Sequence, residues 1–187
     1  MKRGLSIALG VLIILGAAIV VPAKGKNPIV PGGTLDFQLP DLSGAPVSSA
    51  DPRFVGKVLL IELWATWCPP CITEIPTLVD LQAQYGDRGL VIVGIAFEAE
   101  DQGDQRRTRL RQFVEQQGIN YLVLDGGHPD TFETALPSVK NVRGFPVEIL
   151  VDRSGGVAVS RNGYGFKKKW AAKLRREIEA LLSASAE

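Results

Sequence analysis

Cysteine and histidine are scarce in this chain: two and one among 187 residues. A structural zinc ribbon needs four such ligands, which three side chains do not furnish, and two cysteines build no multi-bridge disulfide framework. Charge of either sign is not in excess. Lys and Arg total 21 against 20 Asp and Glu, so no global field points to nucleic acid as a partner. Internal repeats and low-complexity segments are absent as well. What remains is ordinary globular composition, 45% apolar and 22% charged, on a chain long enough for one domain with a substantial core.

The residues from Gly4 to Val21 are apolar or small, follow Lys2 and Arg3, and end at Pro22. This length lies between a signal-peptide core and a full membrane span. Residues 1–23 therefore read as an export segment. It is either a signal peptide with Val21-Pro22-Ala23 at the cleavage site or a retained membrane anchor, and both readings stay open. No cysteine follows it, so a lipid anchor on cysteine is excluded. Export places the protein in the bacterial periplasm or on the extracytoplasmic face of the membrane. Residues 24–33, rich in Gly, Pro and Lys, read as a linker, and residues 34–187 as the domain.

Within the domain, Thr34–Leu39 and a segment near Val47 suit a hairpin around Asp41-Leu42-Ser43-Gly44. Val58–Trp64 is apolar on both faces, as a central strand covered by helices must be. A helix is expected over residues 69–85, ended by Gly86 and Gly89, and a second apolar strand over Leu90–Ala96. A helix follows over 105–117, with Leu110, Phe113 and Val114 on its core side, and then a short strand over Tyr121–Leu124. One helical turn is expected near Thr131–Leu136. Strands at Val147–Val151 and Val157–Ser160 flank a turn at Asp152–Gly156. A last helix, from about Phe166 to Leu182, carries Trp170, Leu174, Ile178 and Leu181 on one stripe. Alternating strands and helices imply an α/β sheet, parallel until the closing hairpin.

The chemistry concentrates in Trp64-Ala65-Thr66-Trp67-Cys68-Pro69-Pro70-Cys71, where a buried strand gives way to a helix. Two cysteines separated by two residues can close a small disulfide ring. Cys68 lies beside the unpaired N–H groups and positive end of the helix, which stabilise a thiolate below the free value of about 8.5. Cys71, one turn inside, is expected to be more buried and to resolve a mixed disulfide formed on Cys68. Pro69 and Pro70 suit a first turn that needs no N–H donor.

Trp67 through Cys71 after an apolar strand resembles the thioredoxin superfamily, and the whole pattern resembles the TlpA/ResA-type thioredoxin-like proteins. The likeness runs from about residue 34 to 182. It takes in Phe37-Gln38-Leu39-Pro40-Asp41, Gly56-Lys57, Pro76 and Gly144-Phe145-Pro146. It implies a thioredoxin fold with an N-terminal β-hairpin and an extra helix–strand insertion, and thiol–disulfide oxidoreductase activity. It implies no cofactor beyond the Cys68–Cys71 pair and no metal. It implies a cis bond at Pro146, which would set the Phe145 backbone beside the cysteines. Substrate docking then falls to Trp67, Pro69, Pro70, Phe145 and Pro146. Val147 and Glu148 depart from the uncharged residues usual after that proline.

Two acidic residues join the expected catalytic set. Glu62, the only ionisable residue of Val58–Trp64, lies six residues before Cys68, where thioredoxin has a buried acid. It is expected to have a raised pKa and to take the proton of Cys71, unless it turns sideways to a helix-borne Lys or Arg or to water. Glu74 resembles an acidic residue of the TlpA/ResA group and shares a helix face with Cys71, or else is a surface glutamate. His128, in a Gly-Gly-His-Pro stretch, reads as a loop residue.

The implied partners are disulfide-containing client proteins and a membrane thiol electron donor. Reduction of exported disulfides, including those of cytochrome c maturation, is the favoured direction. A disulfide donor and a non-enzymatic metal-binding or chaperone module are the alternatives. Copper-delivery proteins on related folds space their cysteines by three residues, against two here. A thiol peroxidase would need Pro and Thr at the positions of Ile61 and Ala65, and is disfavoured.

Overall fold

A computed structural model describes residues 28–29, 32–100, 102–162 and 167–184. Residues 1–23, read as an export segment, lie outside these residues. Among them no helix is long and apolar enough to cross a membrane. The stretch read as a linker is partly docked. The Lys140 N–H donates to the Pro28 carbonyl, the Ile29 N–H to Ser160 Oγ, and Gly32 and Gly33 pair with Val157. Ile29 is buried, so its burial extends the packed domain upstream of residue 34.

A hairpin of β1 (Gln38–Pro40) and β2 (Pro46–Ser48) opens the fold, with β1 starting at Gln38 rather than at Thr34. Its turn is held by Asp41, whose Oδ1 accepts from the Ser43 and Ala45 N–H groups at 2.8 and 3.0 Å. Then come β3 (Val58–Trp64), α1 (Pro69–Tyr85), β4 (Leu90–Phe97), α2 (Gly103–Gln117), β5 (Leu122–Gly127), and a single turn, α3 (Phe132–Ala135). The chain continues through β6 (Val147–Val151), β7 (Val157–Asn162) and α4 (Lys167–Ser183). Phe166, the expected start of α4, is outside the described residues.

The five-stranded sheet has the order β5-β4-β3-β6-β7. β3, β4 and β5 are parallel, whereas β6 and β7 run antiparallel to their neighbours. The inserted α2–β5 unit therefore extends one edge of the sheet. Both crossovers of the parallel part lie on the same face, as right-handed connections stepping in one direction require. That face buries Leu60, Trp64, Leu78, Leu110, Leu174 and Ile178 under α1, α2 and α4. The opposite face buries Phe37, Ile61, Ile95, Leu136 and Ile149 under the hairpin and the α3 segment.

The core side of α2 is as expected: Leu110 is fully buried, and Phe113 and Val114 pack half-buried against the same core, the Phe113 ring centroid 5.6 Å from that of Trp64. One expectation changes. The Gly126-Gly127 stretch, read as loop, belongs to β5. A Cβ on Gly126 would sit 2.8 Å from Phe97 Cζ and 2.9 Å from the Ala96 carbonyl, so only glycine lets β5 continue beside β4 there.

Candidate active site

β3 ends at Trp64, and four residues later Cys68 caps the N-terminus of α1. The cap is tight. The Cys68 N–H donates to the Ala65 carbonyl at 3.2 Å, and Cys68 Sγ accepts from the Cys71 N–H at 3.3 Å. Pro69 and Pro70 take the first two helical positions, where a missing N–H costs nothing. Cys68 and Cys71 are joined by a disulfide, with Cys68 4% exposed and Cys71 wholly covered. The burial order is the one expected for an attacking and a resolving thiol.

The loop before Cys68 is tied down by a residue that sequence reasoning missed. Glu98, just past the end of β4, accepts from the Thr66 N–H at 2.8 Å and from Thr66 Oγ1 at 2.7 Å. Burial pushes its carboxyl up, and the two Thr66 bonds oppose this. Its position directly after the apolar Leu90–Phe97 run was the available signal.

Across from this loop the Phe145–Pro146 bond is cis. Trp67, half exposed, lies 5.9 Å from the Phe145 ring, which stacks on Phe97 at 5.5 Å. The structure thus brings Trp67, Phe145 and Pro146 to the disulfide end of the sheet. Trp67 also borders two depressions. One, of about 230 Å³, is lined by Thr66, Glu98, Arg106, Arg109 and Leu110; the other is open and reaches Pro69, Ile72 and Thr73.

On the sheet face that α1 covers lie three buried carboxyls. Glu62, between Leu60 and Trp64 on β3, is on the face that α1 covers. It does not turn to a Lys or Arg; it faces Glu74 and Glu148. Glu74 is not on the surface but fully buried. Glu62 Oε1 and both Glu74 oxygens have no donor among the described residues, which a proton held between the two carboxyls would supply. Desolvation raises both pKa values well above the ordinary carboxyl range; Glu148 adds to the rise at both, while the bond with Glu74 opposes it at Glu62. Gly94, opposite Glu62 on β4, leaves room for the Trp64 indole, whose Nε1 would be 2.8 Å from a Cβ there. Glu148, set aside at the sequence level as a departure from pattern, faces Glu62 across the strand pair. His128 caps a helical turn, its Nδ1 accepting from the Asp130 N–H at 3.2 Å.

Residues 33–169 match the sequence profile of the AhpC/TSA family, well over half of the chain. This chain belongs to the AhpC/TSA family. Among its relatives there, the thioredoxin-like protein YneN of Bacillus subtilis is 29% identical over 139 residues, 74% of this chain and 75% of that one. The thiol:disulfide interchange protein DsbE of Allochromatium vinosum is 26% identical, covering 92% of this chain and 87% of that one. A thiol:disulfide interchange protein of the thioredoxin family from Chlorobium tepidum superposes with a TM-score of 0.64 at 28% identity, over 82% of this chain and 97% of that one. The fold is that of thioredoxin, and the protein is a thiol–disulfide oxidoreductase. AhpC/TSA membership does not restore the Pro and Thr of a thiol peroxidase, whose places hold Ile61 and Ala65 in β3 and just after it.

Proposed function

We propose that the protein reduces disulfides of exported client proteins, with Cys68 attacking and Cys71 resolving. The Cys68 thiolate attacks one sulfur of a client disulfide, and the client's other sulfur leaves as a thiolate that takes a proton from water. Cys71 then gives its proton to the Glu62–Glu74 pair and attacks Cys68. The client leaves with both sulfurs reduced, and two electrons have passed from the Cys68–Cys71 dithiol to it. Trp67, Pro69, Pro70, Phe145 and Pro146 form the docking rim, with the backbone at Phe145 offering an edge to an extended segment. No cofactor or metal enters these steps.

The observation that carries the reductive direction is that the ionisable groups packed under α1 at Glu62 and Glu74 are carboxyls and not cations. Strong oxidants of this fold stabilise their reduced form. Here the first helical turn offers two prolines between the cysteines, and the buried groups packed under α1 are carboxyls, which, neutral or ionised, bring no positive charge to a thiolate. The disulfide is favoured and the dithiol is a good electron donor. Export through residues 1–23 puts the protein in an oxidising compartment, so its own reduction falls to a membrane thiol donor. Clients whose cysteines must be reduced before haem attachment, as in cytochrome c maturation, fit this role.

Equilibration of the Cys68–Cys71 pair in dithiol redox buffers tests the direction. A midpoint more negative than about −200 mV is expected; a value near the about −120 mV of a strong oxidant would make the protein a disulfide donor.

A further inference from the structure

Every other residue of β6 is apolar and buried, yet Glu148 stands in its middle at 2% exposure. No bond-making step of the exchange needs it. Its surroundings are nonetheless built. In register it faces Glu62 on one side and Arg161 on the other. Its Oε2 accepts from Arg161 Nε and its Oε1 from the Trp170 indole N–H. Arg161 Nη1 donates in turn to both oxygens of Glu177, at 3.1 and 2.8 Å, and Lys173 Nζ reaches Glu177 at 3.6 Å. A row of charges thus runs from Glu62 through β6 and β7 to the surface of α4.

Donors are distributed unequally along this row. Both oxygens of Glu148 have one, and one of them comes from a guanidinium that is always charged. Glu74 has none on either oxygen, and Glu62 Oε1 has none. A carboxylate is best placed where donors already point at both oxygens, and a proton best placed where none do. From this arrangement we propose that Glu148, held by Arg161 and Trp170, is a positioning residue for thiol–disulfide exchange: its carboxylate keeps a proton on the Glu62–Glu74 pair and so sets the pH at which that pair can accept the proton of Cys71.

The proposal rests on the proton-accepting role given to the pair above. The other groups facing the pair are Tyr121, before β5, and Arg161 on β7; Gly94 on β4 carries no charge. Burial pushes all three carboxyls up, and Glu148 adds to the rise at both Glu62 and Glu74. At Glu148 itself the Arg161 and Trp170 bonds oppose burial, whereas Glu74 has no donor on either oxygen.

Single-turnover resolution of a mixed disulfide with a model peptide, followed across pH, tests this. In Glu148→Gln the rising limb should move to lower pH by about one unit or more, as removal of an adjacent like charge requires. In the double variant Glu148→Gln/Arg161→Gln a more distant positive charge leaves as well, so the shift should be clearly smaller. An unmoved limb in Glu148→Gln, or equal shifts in both variants, overturns the proposal. Should the variants fail to fold, carbon-13 NMR of glutamate carboxyls in the wild-type protein decides. The Glu148 signal, assigned through the Trp170 indole proton, should show the carboxylate while the pair still holds a proton. Acid-form Glu148 beside an ionised pair would contradict it. Absence of any exchange by the wild type would instead remove the proton-accepting role, and the NMR order would still judge Glu148 alone.

Discussion

Glu62 and Glu148 face each other across the antiparallel β3–β6 pair, in register and each 2% exposed. Two like charges directly opposite on adjacent strands are destabilising. Placed under an apolar layer they cannot both remain ionised without partners, and only Glu148 has donors on both oxygens. With Glu74 of α1 beside them, they form a buried carboxyl cluster between α1 and the sheet.

Loss of the Glu62 carboxyl should slow the second half of the exchange and leave the first intact. Glu62→Gln is expected to lower the mixed-disulfide resolution rate by roughly 10- to 100-fold, within or below the usual contribution of a positioned proton acceptor because Glu74 remains. The pH at which the rate rises should also move, since Glu74 is left as the acceptor. Stopped-flow reduction of a model disulfide across pH measures both, and an unchanged rate and profile would sink the role given to Glu62.

Glu74 should leave a mark on stability. A carboxyl whose folded pKa is raised binds its proton more tightly when folded. Its contribution is therefore complete below the unfolded value of about 4.3 and is lost as pH rises toward the folded value. Glu74→Gln removes that loss. The melting temperature of the variant minus that of the wild type should grow from about pH 5 to about pH 8. A constant difference would mean that Glu74 is ionised in the folded protein.

The Thr66–Glu98 clamp should hold the active-site loop. Thr66→Ala deletes the hydroxyl bond to a partly buried carboxylate and is expected to cost about 1–3 kcal/mol, read by urea denaturation of the oxidised protein. A cost near zero would show that the backbone bond alone positions the loop.

Phe145 is wedged between Trp67 and Phe97. Aromatic pairs contribute about 0.5–1.5 kcal/mol each, so Phe145→Ala should loosen Trp67 and the rim, and raise the KM for a disulfide peptide while kcat changes less. Trp67 fluorescence should shift in the same variant. An unaltered KM would take Phe145 out of the docking rim.

Much of this site was legible in the chain because its signals are local. Val58–Trp64 could only be a covered strand, and Cys68 and Cys71 at its exit could only start a helix there. Glu62 was visible as one charge in an apolar run. The alternatives left open for Glu74 were resolved by tertiary packing, since nothing in a helix periodicity says that α1 turns that residue onto β3. Glu98 and Arg161 were missed for the same reason: their partners are 32 and 13 residues away, in other elements. The docking of Ile29 on Ser160, 131 residues apart, is beyond any local pattern, and so a Gly- and Pro-rich stretch read as a linker.

The most direct test of the whole account is a trapping experiment on Cys71→Ser. With the resolving thiol removed, the reduced protein mixed with a disulfide-bonded peptide should accumulate a covalent one-to-one adduct on Cys68, stable without reductant and released by it, as mass spectrometry of the intact and digested protein would show. Cys68→Ser should give no such adduct on Cys71, which is wholly covered. An adduct confined to Cys71, or none with either variant, would contradict the assignment of the Cys68–Cys71 pair as attacking and resolving thiols.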